Sequence, residues 1–317
     1  MTAKSFNVGV VYDDFMSKHF HPTEPHPECP ERIQEIYKEL NKRNLITKML
    51  AIKSRDITRD ELLLVHDKKY LYKLYRSFET HKTDKAINYA LGEYNSVFAN
   101  LNSLKCAEKA AGSTVDLVMS IVNKKIERGV AIVRPPGHHS QCSETNGFCL
   151  FNNVALASVI ARNAGMKIAV VDWDIHHGQG TEQIFYKQKD LYYISVHRYD
   201  CGNFFPGTGK MSTQPNILNI PLNYTKGTDK EYIDIFEKQV TPKLQEIKPD
   251  IIIVSAGFDA GEGDPIGGYE VTPKGYRTLV KILKRSCSKI CLVLEGGYNL
   301  QTLSNSMAEC TEELFLE

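Results

Sequence analysis

Apolar residues in this chain follow two alternating rhythms. Continuous Val/Ile/Leu-rich runs without polar alternation occur at Val8–Tyr12, Val130–Arg134, Lys167–Asp172, Leu191–Val196, Asp250–Ser255 and Ile290–Glu295. Runs of this kind predict short strands covered on both faces, as in parallel sheets. Between them, apolar positions recur at three- and four-residue spacing, the period of a helix. Glu31–Asn44 follows Pro30, a common helix opening. Asp67–Ser77 starts on a capping Asp and carries Tyr70, Leu71, Leu74 and Tyr75. Leu101–Lys124 is long and Ala-rich, and Asn153–Asn163 runs into Ala164-Gly165, a C-cap pair. Thr228–Ile247 stops before Pro249, Thr272–Ser286 opens as Thr-Pro, and Asn299–Phe315 is the last helix expected. Strands alternating with helices throughout predict α/β architecture, with one domain over 1–317 and a mostly parallel central sheet flanked by helices. The stretch from Arg198 to Pro221 holds Gly202, Pro206, Gly207, Gly209 and Pro215 and is expected to be a long ordered loop over a pocket mouth.

Five of the apolar runs lead directly into polar clusters. AIVR precedes Pro135-Pro136-Gly137-His138-His139, and IAVV precedes Asp172-Trp173-Asp174-Ile175-His176-His177-Gly178. YYISV precedes His197-Arg198, IIIVSAGFD precedes Gly263-Asp264-Pro265, and CLVL precedes Glu295-Gly296-Gly297-Tyr298. Ligands of open parallel sheets bind beyond the carboxyl ends of the strands, so these clusters predict one shared pocket.

Asp174 and His176 are two apart just past a strand, where side chains of extended chain point the same way. Asp264 is a candidate third ligand. Three protein ligands leave a position open, which is the catalytic rather than the structural pattern. One imidazole and two carboxylates suit Zn²⁺, with Fe²⁺, Co²⁺ and Mn²⁺ left open by ligand type. Asp172 is expected to point elsewhere, toward an imidazole partner or a structural cation. His138 and His139 follow a rigid turn and present an acid/base pair. Tyr298 follows two glycines and offers a phenol that donates to a developing oxyanion. Phe148 and Phe205, in Gly-rich loops, are candidate walls of a narrow apolar channel.

Composition narrows the function classes. The chain has 317 residues with Lys+Arg 39 against Asp+Glu 38, a formal charge of +1, which argues against a broad nucleic-acid or membrane-surface footprint. The hydrophobic share is 42% and the charged share 24%, ordinary for a globular protein. No apolar run reaches the roughly 20 residues of a membrane span, and MTAKSFNVGVVYDD shows no cleavable apolar segment. Eight cysteines without a C-x-x-C pair suggest free thiols in a reducing compartment. The expected location is cytoplasm or nucleus rather than the outside of the cell.

Together the stretches RPPGHHS, NGFCLFNNVALA, VVDWDIHHGQGTE, ISVHRYDCGNFFPGTG, SAGFDAGEGDPIGGY and LEGGYNL resemble the zinc-dependent histone/protein lysine deacetylase family, on the arginase–deacetylase fold. Arg134 before the Pro-Pro turn, and Trp173 between the two aspartates, resemble the class II branch. The resemblance implies Zn²⁺ on Asp174, His176 and Asp264, with His138 and His139 as the acid/base pair and Tyr298 as the carbonyl-polarising phenol. It implies that Phe148, Phe205 and Gly147 line an acyl-lysine tunnel. It places a potassium ion on Asp172 and Ser195 with main-chain oxygens of Asp174, His176 and Val196. Gln179 stands where class I enzymes have Asp behind the second histidine, and a neutral amide raises that imidazole's pKa less. Tyr298 stands where one class II branch has His, which implies competence on acetyl-lysine. Ile266 stands at the mouth, where the polyamine-selective branch has Glu. Pro27-Glu28-Cys29 partly matches that branch's entrance insert, so acetylated polyamines are the alternative substrate. Asp84, Glu93 and Asn95 compete for the acidic position that would hold the substrate backbone. The substrate expected is an acetylated histone, other protein or peptide, without direct nucleic-acid or membrane partners. The oligomeric state is left open. A non-catalytic acyl-lysine-binding protein would lack part of the His138, His139 and Tyr298 set. A binuclear manganese ureohydrolase would need a second aspartate-rich loop.

Overall fold

The computed structural model describes residues 7–186, 188–223 and 226–317. Residues 1–6, where part of the leader expectation falls, lie outside them. Eight parallel strands form one sheet: β1 (Val8–Tyr12), β2 (Leu50–Ala51), β3 (Arg128–Ile132), β4 (Ile168–Asp172), β5 (Leu191–Arg198), β6 (Ile217–Leu222), β7 (Ile251–Ala256) and β8 (Ile290–Leu294). Their spatial order is β2-β1-β3-β8-β7-β4-β5-β6. Strands β3, β4, β7 and β8 are buried at every position, which explains their unbroken apolar runs. In register, Asp172 at the end of β4 faces Ser195 on β5 and Ser255 on β7.

Helices α1 (Glu31–Lys42), α2 (Arg59–Leu62), α3 (Lys68–Thr80), α4 (Asp84–Leu91), α5 (Ser103–Val122), α6 (Asn153–Asn163), α7 (Gln179–Phe185), α8 (Asp229–Ile235), α9 (Thr241–Ile247), α10 (Pro273–Lys284) and α11 (Leu300–Phe315) flank the sheet. Helix α5 packs on α6, and α11 packs on both α1 and α10. Helix starts follow local chemistry: Asn152, Thr272 and Asn299 each accept a first-turn backbone N–H. Asp67 precedes α3 as expected, but its side chain makes no capping bond. Between α8 and α9 a π-turn at Phe236–Val240 accommodates Pro242, which has no N–H to donate.

One correction to the sequence expectation and one unassigned element bear on the site. The stretch after Arg198 is a loop only as far as Asn216, and Ile217–Leu222 is the edge strand β6. Asn219 and Pro221 hid its pattern, and a proline is tolerated on an edge strand. Gln179–Phe185, unassigned in the sequence reading, form helix α7, which residues 173–178 link to β4.

Candidate active site

Five neighbouring strands, β3, β8, β7, β4 and β5, deliver the polar loops to one end of the sheet. Beyond β3, Gly137 N and His138 N donate to Glu295 Oε2 at 2.7 and 3.1 Å, which fixes the turn carrying the histidine pair against the loop after β8. Burial pushes Glu295 up to about 7, while the amides it accepts work in the other direction.

The two imidazoles stand 4.0 Å apart between ring centroids and have different partners. His138 Nδ1 lies 3.0 Å from Asp172 Oδ2, and Tyr193 Oη donates to the same oxygen at 2.9 Å. Burial opposes charge on His138, but Asp172, Asp174 and Glu295 outweigh it and raise its pKa well above the ordinary value. His139 Nδ1 lies 2.6 Å from Gln179 Oε1. Burial, together with the neighbouring His138 and His176, holds its pKa well below the ordinary value. Adjacent residues of one type are thus pushed apart by a carboxylate behind one and an amide behind the other.

His176 Nδ1 sits 3.0 Å from Asp174 Oδ1 and 3.1 Å from Asp259 Oδ2. Ligand atoms of Asp174, His176 and Asp259 lie within 4.8 Å of one another, all buried. Sequence reading missed Asp259. Its only signal was position, at the end of the run IIIVSAGFD and five residues before Asp264. Asp264 falls outside that close group but is held beside it. Its Oδ1 accepts Ile266 N and Gly267 N at 2.9 and 3.0 Å, and its Oδ2 accepts Tyr298 N at 2.7 Å. Gly296 N donates to Asp174 Oδ2 at 2.8 Å, so amides of one Gly-Gly-Tyr loop donate to both carboxylates. Burial raises Asp259 to about 7, aided by the charges of Asp174 and Asp264. Burial also raises Asp264. The cluster holds more negative charge than His176 offsets, and one nitrogen among carboxylate oxygens suits a divalent ion.

Tyr298 is carried by a loop that buried charges secure. Arg32 Nε donates to Gly297 O at 2.6 Å and its guanidinium lies 5.1 Å from the Tyr298 ring centroid. Glu28 Oε1 accepts from Arg32 at 2.9 Å and Glu28 Oε2 from Arg134 at 2.6 Å, all three side chains being fully buried. Glu28 therefore lies within the fold and not at a pocket entrance.

Phe205 meets the His139 and His176 rings edge-on at 5.1 and 5.9 Å. Phe148 meets Tyr298 edge-on at 6.2 Å and His26 at 4.8 Å. Ile266 is half-buried beside Asp264. Phe204, absent from the sequence candidates, stacks on His176 at 5.1 Å and carries the Arg198 guanidinium on its ring at 4.5 Å. Ser195 Oγ lies 2.8 Å from His197 Nδ1, and Val196 is fully buried. Of the three residues considered for the substrate backbone, Asn95 abuts the loop of Gly147 and Phe148: Asn95 O and Ser96 O accept Gly147 N and Phe148 N at 3.0 and 2.8 Å. Asp84 is spent on Leu101 N at 2.8 Å.

Gly147 has φ +51, and a Cβ there would sit 2.4 Å from His139 Cδ2. Gly147→Ala is expected to displace the second imidazole, lowering kcat/KM by about 10²-fold. Steady-state kinetics beside a melting curve check this; unchanged kinetics would reject it.

The chain is similar to known proteins along nearly all of its length. Residues 26–314 match the family model described as histone deacetylase domain. Histone deacetylase 5 of Arabidopsis thaliana is 38% identical over 322 residues, covering 97% of this chain and 49% of that protein. Histone deacetylase 6 of Caenorhabditis elegans is 37% identical, covering 91% of this chain and 32% of that protein. The crystal structure of the HDA15 HD domain superposes with a TM-score of 0.90 at 36% identity, covering 97% of this chain and 89% of that one. The chain spans about half the length of the first curated relatives it matches.

Proposed function

The chain belongs to the histone deacetylase family, and on that premise we propose that it hydrolyses the N-ε-acetyl amide of lysine in a histone, another protein or a peptide. The products are acetate and a free lysine side chain. The observation that carries the reading is the convergence of the histidine pair, the Asp174–His176–Asp259 group and Tyr298 at one end of five adjoining strands.

A Zn²⁺ ion is the cofactor the family implies, and the donor set fits one. Asp174 and His176 would hold it with Asp264 as third ligand, while Asp259 adds negative charge beside His176 and accepts Ile175 N at 2.8 Å. When bound, the ion supplies Lewis acidity toward water and the amide carbonyl. His139, backed by the neutral Gln179, is the base that takes a proton from water. His138, backed by Asp172, holds the proton delivered to the leaving amine. Tyr298 donates to the carbonyl oxygen as negative charge develops there. Phe148, Phe205 and Gly147 enclose the aliphatic stem of the substrate lysine and keep bulk water out, with Ile266 at the rim. A potassium ion at Asp172, Ser195 and Val196 would brace the end of β4, where oxygen donors meet in register.

Residues 1–317 act as one catalytic domain of the class II kind, without direct nucleic-acid or membrane partners, in nucleus or cytosol. No helix among the described residues is long and apolar enough to cross a membrane. Acetylated polyamines are not favoured, because Glu28 is sequestered by two arginines and Ile266 offers a second cation no partner. The ratio of kcat/KM on an acetyl-lysine peptide to that on acetylspermidine tests this, and a ratio below one would overturn the substrate assignment. Metal analysis tests the ligand set. Asp174→Ala and Asp264→Ala are expected to lose stoichiometric zinc, whereas Asp259→Asn keeps it at reduced affinity, about 10- to 100-fold weaker. Full retention in Asp264→Ala would move the third ligand to Asp259.

A further inference from the structure

Beside Gln179 opens a cavity of about 630 Å³, lined in part by His177, Gln179, Glu182, Tyr199, Lys210 and Asn219. That volume is in the range of sites for small molecules. The cavity shares one wall with the reaction centre, because Gln179 lines it and also partners His139.

One polar atom of a lining residue has no hydrogen-bond partner, Asn219 Oδ1. Asn219 is only 3% exposed. Buried acceptors are ordinarily paired, and one left unpaired carries its desolvation cost in full. The orientation of Asn219 is set by its Nδ2, which donates to Glu182 Oε2 at 2.9 Å and to Lys210 O at 3.1 Å. His177 Nδ1 is spent on Thr208 Oγ1 at 2.8 Å. His177 Nε2 pairs with Glu182 Oε2 at 2.6 Å.

We propose that this cavity binds a small organic cation bearing N–H donors, a primary ammonium or a guanidinium group. Asn219 Oδ1 and the Glu182 carboxylate are acceptors only, and Glu182 brings negative charge. Tyr199, also on the lining, is an aromatic side chain of the kind whose ring face favours cations. Lys210 is exposed, and its long stem carries the ammonium toward water. An occupant lies one residue from the catalytic pair, against Gln179, so it bears on how firmly His139 is held. The site stands on the cavity, the Glu182 carboxylate and the unpaired Asn219 oxygen, and does not depend on the deacetylation reading.

The probe is n-butylammonium, titrated into the whole ¹⁵N-labelled chain, with n-butyrate as anionic comparator. The expected result is saturable shifts of the side-chain amides of Asn219 and Gln179 and of the Thr208 and Lys210 backbone amides, with a midpoint at or below the order of 10 mM. In Glu182→Gln, whose melting temperature is checked first, the midpoint should rise at least several-fold. Tyr199→Leu serves as the second variant should Glu182→Gln fold poorly. Shifts confined to Phe148, Phe205 and Tyr298 would place the amine in the tunnel and overturn the proposal. Stronger shifts with butyrate, or none with either probe, would overturn it as well.

Discussion

Tyr298→Phe lowers kcat on an acetyl-lysine peptide by on the order of 10²–10³ while leaving the melting temperature unchanged. Burial, with the charge on Asp259, raises the phenol's pKa well above the ordinary value despite the nearby Arg32, so it stays a proton donor throughout the neutral range. Phenylalanine keeps the ring, its edge contact with Phe148 and its place under Arg32, and removes only the donor. The loss therefore belongs to kcat, with KM little changed, because the missing bond strengthens only as charge develops. The measurement is steady-state kinetics on zinc-loaded enzyme with calorimetric melting alongside. Near-wild-type turnover would remove Tyr298 from the chemistry and leave it a packing residue.

The second large effect is on stability. Glu28→Ala leaves two buried guanidinium groups, Arg32 and Arg134, without their shared carboxylate, and is expected to destabilise the chain by about 3–5 kcal/mol. All three side chains are fully buried, so solvent screening does not soften that figure. Replacing the partners together by apolar residues should cost much less, because no orphan charge remains. The same group sets an acid limit. Burial alone would raise the pKa of Glu28, yet Arg134 and Arg32 lower it from 4.5 to about 2. A depressed carboxylate binds its proton more tightly in the unfolded chain, so its stabilisation is complete above about 4.5 and is lost as pH falls toward about 2. Urea midpoints measured across that window should fall in the wild type, with a shallower fall in Glu28→Ala. Equal slopes in the two would sink the assignment.

The sheet was readable because burial on both faces writes strands as plain apolar runs: Val8–Tyr12 matches to the residue, and the other expected strands differ by one or two at their ends. What escaped was short or polar. β2 is two residues long, α2 is four, and β6 hides behind Asn219 and Pro221. Among site residues, spacing pointed to Asp174 with His176, and adjacency pointed to the histidine pair. Asp259 carried no motif of its own and is recognised only when β7 and β4 are seen side by side, with its carboxylate against His176 Nδ1. Glu28 was misplaced for a related reason. Sequence shows an acidic residue in a Pro-rich loop, while its two arginine partners are a helical turn away and more than a hundred residues away. Local pattern reports local chemistry, and long-range charge pairing stays invisible until the chain closes on itself.

The margins of the sheet carry a last consequence. At one side β2 offers two residues, and at the other β6 contains Pro221, which has no N–H to give. A stray extended segment from a neighbouring molecule finds little to zip onto at either border. Folded molecules, even when crowded, are therefore poor seeds for ordered clumping, even though most of the strands between those borders are among the greasiest stretches of the polypeptide.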